Sequence, residues 1–390
     1  MADPLYEVLS PLEYMFLADR ERVISALLAW VLGEHSTLSE PGRARLLHDL
    51  IPELSEGIRV IRAGTEDQNI DVLVEVCLPD RRRGVVAIEN KLKIEEHSQQ
   101  LEANDQRLAG SDLPVFGKVF LTLTGIPPHS GGGWRVINYS VLASALTPEV
   151  GTSNYVRDFY LLIARLVEAV RRAIEDPEVY AQHLVFADGR ASSPSCSQEF
   201  ADYVKRMHLV GTLQKAWMHR LFTDLHPDQQ LLPFLTVGDG HRVRDVIGEV
   251  YAKGTYGGIP CRVGVQVQGR KAKVFASPLP PGKNPADDND RATVDAVIAD
   301  LATVLTNPPK PSHGKKEYFR SYPYAMDGLP DQRVQERHLE AWVAPIKIHL
   351  QAVECWLASH PGDWLASHLR AFHVHIANRR QSGRVAFLCS

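Results

Sequence analysis

Residues 69–91 read NIDVLVEVCLPDRRRGVVAIENK, and their pattern decides how the first half of the chain folds. Over 69–78 the side chains alternate: Ile70, Val72, Val74, Val76 and Leu78 fall on one face, Asp71, Leu73, Glu75 and Cys77 on the other. Period two predicts a strand, because successive side chains leave a pleated backbone on opposite sides. The Pro, Asp and Gly of 79–84 predict a turn, and VVAIENK over 85–91 predicts the next strand. On that strand Val85, Ala87, Glu89 and Lys91 share a face. If the two strands pair with Asp71 turned the same way, two carboxylates and an amine converge on one spot.

Outward from this hairpin, a helix is predicted over 18–32, where Val23, Ile24, Leu27, Leu28 and Val31 recur at three- and four-residue steps. A second helix over 42–51 ends at Pro52, and a short β-branched run at 58–62 predicts a strand. After the hairpin come a helix over 95–109, a strand over 115–124 and another over 134–139. The order α–β–β–β–α–β, with one added strand, predicts an α/β domain over 1–150. A helix over 155–174 makes 151–188 a connecting segment, and the small, polar GRASSPSCS at 189–197 reads as a linker. Beyond it, 198–390 predicts a C-terminal α+β domain. Its elements are a helix over 200–221, three strand-like runs within 246–276, and helices over 291–305, 335–359 and 363–375.

Composition narrows the function. A chain of 390 residues, 44% apolar and 23% charged, is globular and too long for one ordinary domain. No apolar run is long enough to span a membrane, so no membrane partner is expected. The acidic start MADPLYEVLSPLEY is unlike a secretory leader. Five scattered cysteines without a CxxC pair argue against a disulfide framework or zinc knuckle, and for a reducing, cytoplasmic location. Residues 1–150 hold 14 Lys and Arg against 22 Asp and Glu, the remainder 29 against 25. An acidic first part is not that of a basic DNA-coating protein, although bound divalent cations restore positive charge locally.

Two acids buried together are costly unless protons or a cation neutralise them. A hard divalent ion such as Mg²⁺ (or Mn²⁺) needs only one or two carboxylates plus water and phosphate. Lys91 would then orient or help deprotonate a metal-bound water, which is the logic of metal-assisted phosphodiester hydrolysis. An E-x-K triplet arises about once by chance in such a chain, so the weight lies in both acids standing inside apolar strands. The plainer alternative is a surface Glu–Lys pair with Asp71 as its cross-strand neighbour.

The run Ile88–Glu89–Asn90–Lys91, with Ile70–Asp71 upstream and Glu96–His97 and Gln100–Leu101 downstream, resembles the PD-(D/E)xK nuclease superfamily. The resemblance is strongest to the bacterial branch marked by IENK and a following E-H-x-x-Q-L helix, and covers residues 15–140. It implies a restriction-endonuclease-like αβββαβ core and nuclease activity on DNA. By the same resemblance Asp71 and Glu89 are metal ligands, Lys91 is the catalytic lysine, Glu21 a further metal ligand and Gln100 the helix glutamine. Glu21 lies at the edge of the buried stripe, where a ligand role and a side chain reaching out to water fit equally. Gln100 shares a helix face with His97, Asn104 and Leu108; binding phosphate, orienting water and a plain structural role all fit it. Ile70 stands where the family often has proline, and Asn104 where the branch has an aromatic. Restriction or anti-phage defence is the context such nucleases suggest. The alternative is a non-catalytic or ligand-gated nucleic-acid-binding sensor that keeps the fold, and homo-oligomerisation is open.

Other cations are candidates for DNA contact. Arg81, Arg82 and Arg83 precede the Glu89 strand, where phosphate contacts and a solvated hairpin tip account for them equally. The segment 310–324 interleaves Lys315, Lys316 and Arg320 with aromatic residues, as a strand-tracking surface would; an irregular loop with solvated lysines is the alternative. His373 and His375 lack an evident third metal ligand, and no glycine run completes a phosphate-binding loop.

Overall fold

The structure is a computed structural model that describes residues 9–15, 20–67, 69–92, 100–128, 132–175, 198–225, 234–237, 246–268, 271–278, 288–305, 308, 310–313, 320–325 and 338–360. The chain divides into two compact units, Met1–Trp217 and Met218–Ser390. Both are mixtures of helix and sheet.

The first unit contains α1 (Glu21–Leu32), α2 (Glu40–Leu50), β1 (Arg59–Asp67), β2 (Ile70–Cys77), β3 (Arg83–Lys91), α3 (Gln100–Ala109) and β4 (Val115–Thr122). There follow β5 (Arg135–Asn138), α4 (Tyr139–Leu146), α5 (Asn154–Glu175), α6 (Gln198–Arg206) and α7 (Val210–Leu225), the last running across the division. The strands lie in sequence order in one mixed sheet. β1, β2 and β3 are antiparallel, Val72 facing Ile88 and Cys77 facing Arg83. β3, β4 and β5 are parallel, with α3 in the β3–β4 crossover and Lys91 beside Thr122.

The two faces of this sheet differ. Val72, Val74, Val76, Val86, Ile88, Val119 and Leu121 join Ile24, Leu28 and Leu32 of α1, and Phe159, Leu162 and Leu166 of α5, in the main core. Each such side chain stabilises the fold by about 1.5–3 kcal/mol on burial. The opposite face holds a smaller cluster, Ile70, Leu73, Val85, Ala87, Leu101, Leu108, Phe120 and Trp134. The apolar cover is thinner there, and the acids of β2 and β3 emerge on that side.

Several expectations change. The first strand is predicted over 58–62 but runs to Asp67. Its AGTED continuation has little β-propensity, and pairing along the whole of β2 extends it. A bulge separates Val60 from Arg62 on this edge strand. The single helix expected over 200–221 is two. His208, at φ 49°, ends α6 in a left-handed turn in which the Leu209 N–H donates to the Val204 carbonyl at 2.9 Å, an ending more often made by glycine. Helix α4 is an addition, capped by Asn138, whose Oδ1 accepts from the Ser140 N–H at 2.8 Å. Helix α5 is more than a connector: it and α6 bury Phe159, Leu166, Phe200 and Tyr203 in the main core. The linker expected at 189–197 lies outside the described residues.

The second unit contains β6 (Phe234–Val237), β7 (Val246–Tyr256), β8 (Ile259–Gln268), β9 (Lys271–Pro278), α8 (Asp288–Leu301), β10 (Ser312–His313), β11 (Arg320–Ala325) and α9 (His338–Ser359). Its six-stranded antiparallel sheet has the order β10-β11-β9-β8-β7-β6. Gly257 and Gly258, at φ 56° and 80°, make the tight β7–β8 turn that demands left-handed backbone. Val263, Val265, Val267 and Val274 are buried, as are Val297 and Leu301 of α8 and Trp356 and Leu357 of α9. Both helices pack against β8 and β9. Among the described residues no helix is long and apolar enough to cross a membrane.

Candidate active site

β2 and β3 pair so that Asp71 and Glu89 lie on the side of the sheet that faces α3. They stand one residue beyond the Val72–Ile88 pair on their two strands, and each carboxyl group shifts the proton affinity of the other. Lys91 joins them: its Nζ donates to Glu89 Oε1 at 2.7 Å, and only 8% of the lysine side chain is exposed. Asp71, Glu89 and Lys91 therefore converge, the strands pairing with Asp71 turned to the side of Glu89 and Lys91.

Glu89 is fully buried, and α3 supplies what a buried carboxylate needs. Gln100 Nε2 donates to Oε1 at 2.5 Å, and Asn104 Nδ2 donates to Oε2 at 3.0 Å. One helical turn separates the two amides, so both reach the same strand residue. Arg107 in turn donates to Asn104 Oδ1 at 2.7 Å, fixing the amide's orientation. Burial, and then the neighbouring Asp71 charge, push Glu89 up to about 7, with Lys91 opposing. Asp71 is raised too, chiefly by burial, against the Asn90 N–H that donates to its Oδ2 at 2.8 Å. Burial by itself would lower Lys91, yet the Glu89 carboxylate outweighs it and holds the ammonium above its ordinary range.

Glu21 enters from the first turn of α1. Its Oε1 accepts from the Leu92 N–H at 2.9 Å, and its charge acts on Asp71 and Lys91. The residues expected from sequence thus gather at the end of β3: Asp71, Glu89, Lys91, Gln100 and Glu21. Sequence reasoning missed the anchoring role of Asn104, as well as Asn90, Ser25, Arg107 and Tyr139. The signal for Asn104 was its position four residues after Gln100. Glu96 and His97 of the resemblance lie outside the described residues.

The arginines of the turn are only partly free. Arg82 pairs with Asp80 at 2.7 Å, and Arg83 pairs with Glu75, which also receives Arg62 at 3.0 Å. Arg81 is exposed and sits at φ 69°. Arg320 belongs to β11, opposite Ala276, and so is part of a strand, not an irregular loop. Lys315, Lys316, His373 and His375 lie outside the described residues.

Among the described residues no three His, Cys, Asp or Glu side chains are grouped so as to hold a metal ion. The donor chemistry nevertheless suits a hard cation. Asp71 and Glu89 supply carboxylate oxygens, and burial raises both above the ordinary carboxylate range. Gln100 Oε1 is buried beside them with no hydrogen-bond partner among the described residues. One or two carboxylates with a neutral oxygen, completed by water and phosphate, is the set Mg²⁺ accepts. Comparison of the chain with family models, curated proteins and solved structures finds no match.

Proposed function

We propose that the chain is a nuclease that hydrolyses phosphodiester bonds of DNA with the help of Mg²⁺ or Mn²⁺. The observation that carries this reading is the convergence of Asp71, Glu89 and Lys91 on one side of the sheet, Asp71 and Glu89 on neighbouring positions of β2 and β3 and Lys91 Nζ 2.7 Å from Glu89 Oε1. The resemblance of IENK and its flanking residues to the PD-(D/E)xK superfamily, and an αβββαβ element order, support it. Asp71 and Glu89 would hold the cation, with Glu21 and Gln100 Oε1 beside them. When bound, such an ion lowers the pKa of a coordinated water and offsets charge on the phosphate.

The protein groups do the rest. Gln100 and Asn104 fix the Glu89 carboxylate, so it needs no reorganisation as reaction proceeds. Lys91, kept protonated by Glu89, donates hydrogen bonds that orient the attacking water and meet negative charge on the phosphate oxygens. Action against foreign DNA, in restriction or anti-phage defence, is the context we assign to it.

A second reading is a gated or non-cleaving nucleic-acid sensor. It is favoured by the closure of the site, in which both oxygens of Glu89 already accept hydrogen bonds. A cleavage assay across single- and double-stranded DNA and RNA, with Mg²⁺, Mn²⁺ or chelator, separates the two. The nuclease reading expects cation-dependent cleavage that Asp71→Ala and Lys91→Ala abolish. Cleavage that persists in both variants overturns the site.

A further inference from the structure

We propose that Asn90 and Tyr139 are positioning residues, which lock the first turn of α1 to the end of β3 and so hold Glu21, Asp71, Glu89 and Lys91 in register. Its consequence for cleavage rests on the hydrolytic reading above; the coupling itself rests on geometry.

Asn90 stands between Glu89 and Lys91 but points the other way, into the main core, where it is fully buried. A buried amide is costly unless its polar atoms are satisfied, and this one has a partner on each. Nδ2 donates to Ser25 Oγ at 3.0 Å and to the Glu21 carbonyl at 3.3 Å; Oδ1 accepts from the Tyr139 hydroxyl at 2.6 Å. The amide orientation is fixed, because the Glu21 carbonyl can only accept. Its own backbone N–H meanwhile donates to Asp71 Oδ2.

The tie runs in both directions. Asn90 of β3 grips the backbone of Glu21, while the Glu21 carboxylate accepts from the N–H of Leu92, just past β3. Ser25 Oγ also donates to the Glu21 carbonyl at 2.9 Å, so the turn that carries the acid is fastened twice. Tyr139, the first residue of α4, is fully buried, and burial pushes its phenol well above the ordinary value, so it stays a donor. Leucine and phenylalanine would fill these two positions without needing partners. An amide and a hydroxyl there, tied to the backbone of one acid and adjacent to two others, serve geometry. Small displacements of reacting groups are costly in rate.

Tyr139→Phe deletes one of these hydrogen bonds and Ser25→Ala two, and both leave the packing in place. Three quantities are measured on the full chain: amide exchange of Leu92 relative to Leu121, Mn²⁺ affinity by calorimetry, and kcat and KM on DNA. The expected result is faster Leu92 exchange with about tenfold losses in Mn²⁺ affinity and kcat, as for other residues that orient ligands, and KM unchanged. Variants that melt earlier but keep wild-type Leu92 exchange, Mn²⁺ affinity and kcat would overturn the proposal, leaving a purely structural network. Should the unaltered protein neither bind Mn²⁺ nor cleave, the hydrolytic reading fails, and Leu92 exchange alone then decides the coupling.

Discussion

Asn104 donates to Glu89 Oε2 at 3.0 Å, on the carboxylate oxygen opposite the one that Lys91 holds. The lysine therefore fastens one side of the acid while the α3 amide fastens the other. Removing Asn104 as Asn104→Leu leaves Oε2 buried without its donor. A hydrogen bond to a charged group contributes about 1.5–3 kcal/mol, so Glu89 should hold its proton roughly one to two pH units higher. Carboxyl-selective NMR titration reads this directly, and an unmoved Glu89 would remove Asn104 from the site.

Glu89 at about 7 in the folded chain lies above the ordinary glutamate value of 4.5. Between those values the folded state keeps a proton that the unfolded state has released. Stability from this group therefore falls as pH rises through that window, by on the order of 3 kcal/mol once above it. A cation that takes the place of the proton restores it. Melting curves should thus show a small Mg²⁺ or Mn²⁺ shift near pH 5 and a large one near pH 8. A shift of equal size at both would contradict the role assigned to Glu89.

Lys91→Met leaves Glu89 without its cation. Breaking a buried pair in this way costs about 3–5 kcal/mol when the remaining charge cannot escape. Here it escapes by protonation, and to higher pH than in the unaltered chain, because Lys91 is among the groups that hold Glu89 down. Cleavage should vanish at every pH, whereas denaturant midpoints should drop much more at pH 8.5 than at pH 6. Adding Glu89→Gln should recover most of the loss at the higher pH.

The turn arginines make a separate prediction about DNA. Every arginine–phosphate pair removed should lower the salt dependence of binding by about one unit of slope. Replacing Arg81, Arg82 and Arg83 together by alanine should therefore weaken binding, flatten its salt dependence and leave kcat at saturating DNA unchanged. Because Arg83 is shared with Glu75, its share of the effect should be smaller than that of exposed Arg81. An unaltered slope would identify the turn as a solvated tip.

How far the site was legible follows from the range of each signal. Period-two alternation is local, so Glu89 and Lys91 could be put on one face of their strand, whereas Asp71 joining that side depended on the pairing of β2 with β3. The spacing of Gln100 and Asn104 was equally visible, but which strand residue lay beneath them was not. Asn90 and Tyr139 meet across 49 residues, and no local pattern announces that. Ser25 reads as an ordinary helix position until its neighbour is known. The break at His208 is hidden because neither glycine nor proline marks it. In the second unit the three consecutive strands and the positions of two helices were readable. The placing of β11 and β10 beside β9 was not, since nothing in 310–325 fixes a partner.

The bulge between Val60 and Arg62 has a consequence for how copies of this protein avoid each other. β1 closes one rim of the five-stranded sheet, and a straight, apolar rim invites a foreign strand to add itself. Here the rim is kinked and carries the guanidinium groups of Arg59 and Arg62, both exposed. Ribbon-like stacking of molecules is thereby discouraged at a border one strand from Asp71 and two from Glu89.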